Sequence, residues 1–103
     1  MFAVRITRDF ESLKPFFDKL VVSHPDSVLI AFQHDADEDV SRTHVHMALI
    51  GVNPSTDTLK RWIKNECGIT DMSRYDWSFK QLESLDRYVT YMSKGTLDPV
   101  FFA

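Results

Sequence analysis

The spacing of hydrophobic residues changes period along this chain, and that change limits the fold more than any other feature. Phe2 to Thr7 alternates apolar and polar residues around Ala3, Val4, Arg5 and Ile6, the pattern of a strand. From Asp9 the apolar positions Phe10, Leu13, Phe16, Phe17, Leu20 and Val21 fall on one helical stripe that ends near His24 and Pro25. Pro15 inside that stripe predicts an early kink or a late start. Ser27 to Gln33, carrying Val28, Leu29, Ile30 and Phe32, and Thr43 to Val52 each read as buried strands, joined through an acidic loop into an antiparallel hairpin.

Asn53 to Asp57 forms a turn and helix cap, after which Leu59, Trp62, Ile63 and the stop at Gly68 mark a short amphipathic helix. Alternation returns from Tyr75 to Leu82 through Trp77 and Phe79. Ser84 to Lys94 closes the pattern as a helix with Leu85, Tyr88, Val89 and Met92 on one face. The order strand, helix, strand, strand, helix, strand, with an extra C-terminal helix, predicts an α+β fold: a ferredoxin-like split βαβ antiparallel sheet backed by helices. With 103 residues, 44% of them hydrophobic, the chain makes one domain. Neither a long apolar run nor a signal-type N-terminus occurs, so a soluble, non-secreted domain is expected. The single Cys67 excludes an internal disulfide framework and has no catalytic partner in sequence.

Two local patterns carry chemistry. His44 and His46 lie two apart on a strand, so both imidazoles leave the same face while Val45 faces the other. Such a pair suits a divalent metal, and equally describes two histidines with no ligand. Tyr91 and Lys94 lie three apart on the last helix, which brings the phenol and ammonium to one side. A phenol with a pKa of about 10 needs its developing charge neutralised to act as a nucleophile at neutral pH, and Lys94 is placed to do so. Taken alone, the pair also reads as a packed tyrosine and a lysine meeting the helix dipole. Together the patterns complement each other, since a metal polarises a phosphodiester while a tyrosine attacks it.

Thr43, His44, Val45, His46, Met47 and Ala48, followed after a helix and a strand by Tyr91, Met92, Ser93 and Lys94, resemble the motifs of the HUH endonucleases, in which U is a hydrophobic residue. The nearer resemblance is to the nicking domain of rolling-circle replication initiators (Rep) of circular single-stranded DNA viruses, the circovirus and geminivirus type, whose third motif is Tyr-x-x-Lys. It spans essentially the whole chain in motif order. The resemblance implies a sequence-specific single-stranded DNA nickase and strand-joining enzyme with Tyr91 as nucleophile, a covalent 5′-phosphotyrosine intermediate, and Mn2+ or Mg2+ at His44 and His46. It also implies an origin stem-loop as partner, action in the host nucleus, and a place at the N-terminal end of a longer protein with a helicase domain, any oligomer forming only at full length. In the family a glutamate from the preceding strand completes the metal site. Gln33 stands at the matching place, beside His34; the two must point to opposite faces, and Gln33 is expected as the third ligand because its amide oxygen replaces a carboxylate oxygen. The family's first motif falls at Val4 to Thr7, where its usual Phe-Thr-Leu-Asn-Asn character is poorly kept.

Arg5, Thr7, Arg8 and Lys80 are the candidate DNA contacts, with Lys64 a further cation of the same kind. The net charge of -3 argues against binding by bulk electrostatics, but much of the acidity sits in Asp35 to Asp39, a stretch that reads as a solvated loop. Asp35, Asp37 and Asp39 match the start of a calcium loop, which then fails at Val40, where glycine is needed, and at His46, where glutamate is needed. Tyr88 is a rival nucleophile without a lysine three residues on, and Phe16, Phe17, Trp62, Trp77 and Phe79 are assigned to the core. The alternative to a nickase is a non-catalytic nucleic-acid-binding module on the same fold, with Tyr91 as packing.

Overall fold

The computed structural model describes residues 1–36, 42–52, 54–93 and 98–103. In chain order they form β1 (Phe2–Ile6), α1 (Phe10–Ser23), β2 (Val28–His34), β3 (His44–Ile50), α2 (Thr56–Cys67), β4 (Trp77–Gln81), α3 (Leu85–Ser93) and β5 (Phe101–Phe102). The strands make one sheet in the order β4-β1-β3-β2-β5, with every neighbouring pair antiparallel. Strands β1 and β3 therefore occupy the centre, and the consecutive β2 and β3 pair as a hairpin.

Alternation sorts the side chains of this sheet onto two unequal faces. On one, Val4, Ile6, Leu29, Ala31, Val45, Met47 and Leu49 meet Leu13, Phe16, Phe17 and Leu20 of α1 and Leu59 and Ile63 of α2 in the main core, with Trp62, Trp77 and Phe79 half-buried against it. On the other, α3 covers a smaller cluster of Phe32, Ala48 and Met92, flanked by Ile30, Leu85, Tyr88 and Val89. The expected core aromatics thus all lie on the α1/α2 side.

Each helix on that side starts and stops for identifiable reasons. Asp9 caps α1 by accepting the Ser12 N–H at 3.2 Å, and Ser55 caps α2 by accepting that of Thr58. Gly68 ends α2 in the left-handed region at φ 65°, a conformation that costs a residue with a Cβ about 1–2 kcal/mol. The first helix neither starts late nor stops at Pro15: it begins at Phe10 and runs through the proline. Burial of Leu13, Phe16, Phe17 and Leu20 along the stripe outweighs the one helical hydrogen bond that proline cannot donate. Strand β5 was not expected. It closes the free edge of β2, and the Phe101 ring packs tilted against Phe10 and Phe17 at ring distances of 6.0 and 4.9 Å.

Candidate metal centre and nucleophile

The hairpin register builds the site. Across it His34 pairs directly with His44, and Phe32 with His46, so His34, His44 and His46 all project from the α3 face. Their ring centroids are 4.7 to 5.0 Å apart and all three side chains are buried. One nitrogen from each lies within 4.8 Å of the others, and among the described residues this is the group that can hold a metal ion.

Hydrogen bonding selects which nitrogens face inward. His34 Nε2 meets the backbone carbonyl of Met92, and His44 Nδ1 lies 3.0 Å from that of Arg42. A carbonyl only accepts, so both of these nitrogens carry hydrogen. The remaining His34 Nδ1 and His44 Nε2 then point lone pairs at each other across 3.2 Å. Two lone pairs at that distance repel unless a second ring proton or a cation lies between them. The gap is what two nitrogens about 2.1 Å from a common ion leave, so the donor set fits a bound cation.

Gln33 is not part of this group. It pairs with Val45 on the opposite face, where its Oε1 accepts the Phe10 N–H at 2.7 Å and its Nε2 donates to Asp35 at 2.7 Å. The expectation of Gln33 as third ligand is therefore corrected to His34: β2 is turned so that His34, not Gln33, shares the face of the His pair. Gln33 instead satisfies an N–H at the start of α1.

Tyr91 stands over the centre on α3. Its ring lies 5.5 Å from that of His46, and the residue is 64% exposed, open to a substrate. Tyr88, one turn earlier, stacks on it at 6.2 Å with planes 20° apart. Its hydroxyl is directed at the Val4 carbonyl, 3.5 Å away. Burial, and then the neighbouring Tyr91, push the Tyr88 phenol up to about 12, against a smaller opposing pull from Arg5. Such a group gives up its proton less readily than an ordinary phenol. Lys94 lies outside the described residues, as do Asp37 and Asp39 of the rejected calcium loop.

The expected DNA contacts divide in two. Arg5 sits beside His46 on β1, and Lys80 follows on β4; with Ala3 and Ser78 as floor and Tyr88 and Tyr91 as wall they line a groove of about 200 Å³. Thr7 and Arg8 belong elsewhere. Thr7 is buried, its N–H donating to the Asp76 carbonyl, and Arg8 donates to Thr7 O and to Asp71 at 3.0 Å, beside a wider cavity lined also by Gln33 and Arg42. Lys64 reaches over Trp77 on the far face. Sequence reading missed the clamp that holds the loop before β4, where Asp76 accepts from the Ser73 N–H at 2.9 Å and from Arg42 at 3.1 Å. Burial pushes the Cys67 thiol up, which fits a packing role.

Compared with known protein families, curated proteins and solved structures, the chain matches none, so function must be read from the site itself. That site joins a histidine trio that could hold a cation to an exposed tyrosine and a groove lined by Arg5 and Lys80.

Proposed function

We propose that the chain is a ferredoxin-like HUH endonuclease domain of the Rep type, a metal-dependent single-stranded DNA nickase and strand-joining enzyme with Tyr91 as nucleophile. The observation that carries this reading is the exposed Tyr91 ring set 5.5 Å from His46 of a buried trio of imidazoles. The strand order β4-β1-β3-β2 and the element order support the fold assignment.

In this reading the groove beside Tyr91 receives the DNA backbone, with Arg5 and Lys80 meeting phosphates and Ala3 and Ser78 leaving room for the chain. His34, His44 and His46 would hold a divalent cation, which supplies Lewis acidity toward the scissile phosphate. The Tyr91 oxygen forms a bond to phosphorus as the P–O3′ bond breaks. The phenolic proton passes to solvent, to which Tyr91 is open, and the departing O3′ takes up a proton to become a free hydroxyl. The product is a 5′-phosphotyrosine ester that the same hydroxyl can attack in reverse, joining strands. Tyr88 keeps its proton and flanks Tyr91 as a neutral neighbour.

Among the described residues the group is three imidazoles, a donor set that suits a transition ion better than Mg2+, which prefers oxygen donors. Action on a replication origin in a host nucleus follows from the same reading. The deciding experiment mixes the protein with a pool of single-stranded oligonucleotides and Mn2+ and resolves it on a denaturing gel. A covalent adduct that vanishes in Tyr91→Phe and with chelator is expected. Retention of DNA on a native gel with no adduct at any metal concentration would identify a non-catalytic binding module instead.

A further inference from the structure

Helix α3 brings Tyr91 to the trio, yet its hold on the sheet is slight: Met92 is its only fully buried residue, packed with Phe32 and Ala48. Polar contacts supplement that packing, among them the Tyr88 hydroxyl directed at the Val4 carbonyl. The Met92 carbonyl, in the last turn of α3, accepts the Nε2–H of His34. The same ring presents Nδ1 to the inferred cation site, 3.2 Å from His44 Nε2. A single imidazole thus touches the metal centre with one nitrogen and the nucleophile's helix with the other.

Resting on the metal-site reading above, we infer that His34 is also a positioning residue that latches α3, so that metal occupancy and the placement of Tyr91 are coupled. When Nδ1 takes a cation, electron density is drawn from the ring and the Nε2–H becomes a stronger donor. Its bond to Met92 O then gains charge-assisted character. The tightened bond falls on the residue next to Tyr91, whose ring already lies against His46. Linkage makes the effect reciprocal: whatever favours a docked α3 must raise metal affinity by the same factor. A carbonyl on the outer nitrogen of a ligating histidine orients the ring and raises its basicity, and loss of such a partner typically costs about 10–100-fold in metal affinity.

Helix α2 is the internal control, since it packs on the opposite face of the sheet. The test follows amide hydrogen exchange of the whole chain with and without Co2+ alone, no DNA being present, and measures Co2+ affinity by its visible absorption. Saturating Co2+ is expected to slow exchange in α3 by about five-fold or more and to leave α2 unchanged. Met92→Ala, which loosens α3 without touching a ligand, is expected to weaken Co2+ binding by about ten-fold while α2 exchange stays at the wild-type rate. Val89→Ala, a milder truncation on the same helix face, should weaken it by less, which guards against a misfolded first variant. Co2+ binding with unchanged exchange in α3 overturns the latch and leaves the metal site standing. Absence of Co2+ binding to the wild-type chain removes the metal site and the latch with it.

Discussion

Two tyrosines one turn apart on α3 sit in opposite surroundings. Tyr91 is open and Tyr88 is half-buried, its phenol held up to about 12 by burial first and by Tyr91 second. An unfolded tyrosine releases its proton near pH 10, so between about pH 10 and about pH 12 the folded chain binds more protons at Tyr88 than the unfolded chain does. Stability from this residue is complete below pH 10 and declines as pH rises toward 12. Urea unfolding from pH 9 to pH 12 should show a decline that is shallower in Tyr88→Phe, which should still form adducts where Tyr91→Phe does not. Gln33 and His34 offer a second contrast. His34→Ala should raise the Mn2+ concentration for half-maximal cleavage more than ten-fold. Gln33→Ala should leave it unchanged and cost about 1 kcal/mol of stability through the stranded Phe10 N–H. A manganese titration of both variants checks the assignment, and a large shift for Gln33→Ala alone would reverse it.

At the scale of elements, the loop entering β4 depends on Asp76, whose carboxylate accepts the Ser73 N–H and pairs with Arg42. The backbone bond first, and Arg42 and Arg8 after it, outweigh desolvation and hold this carboxyl below the usual carboxylate range. Its contribution to stability is therefore full above about pH 4 and is lost as pH falls through the lowered native value. Asp76→Asn should be less stable at pH 7 and lose less on acidification to pH 3 than wild type, as thermal melts at the two pH values would show. The helices and four of the strands were legible because each spans enough residues for its period to register, from the stripe of Phe10, Leu13, Phe16 and Phe17 to the alternation of Trp77 and Phe79. Strand β5 was not, since two phenylalanines have no period. The third member of the histidine trio was half legible. Alternation separates Gln33 from His34, but the apolar residues of β2 occur on both faces, so nothing local tells which face meets α3. In β3, where every residue up to Leu49 is buried, no polar face remains to mark the outside either. The answer lies in the pairing of His34 with His44 across the hairpin, a long-range fact. A slip of one residue in that pairing would replace His34 by a neighbour of the opposite face.

For the whole molecule, the two sides of the sheet carry different burdens. Helices α1 and α2 close the main core, whereas α3 rests on a cluster whose buried members are Phe32, Ala48 and Met92. Metal bound by the trio adds stability in proportion to its occupancy, about 2.7 kcal/mol at a free concentration one hundred times Kd. Excess Mn2+ should therefore raise the melting temperature of the wild-type chain and leave that of the double variant His44→Ala, His46→Ala unmoved; an equal rise in both would place the ion elsewhere. Local opening follows the weakest packing, so α3 detaches from the sheet at lower free energy than the core unfolds. Warming should then silence adduct formation several degrees below the loss of far-ultraviolet circular dichroism, and cooling from that interval should restore it in full. In that outcome the smaller cluster would set a reversible upper working temperature for the proposed reaction, one that a stronger main core would do nothing to raise.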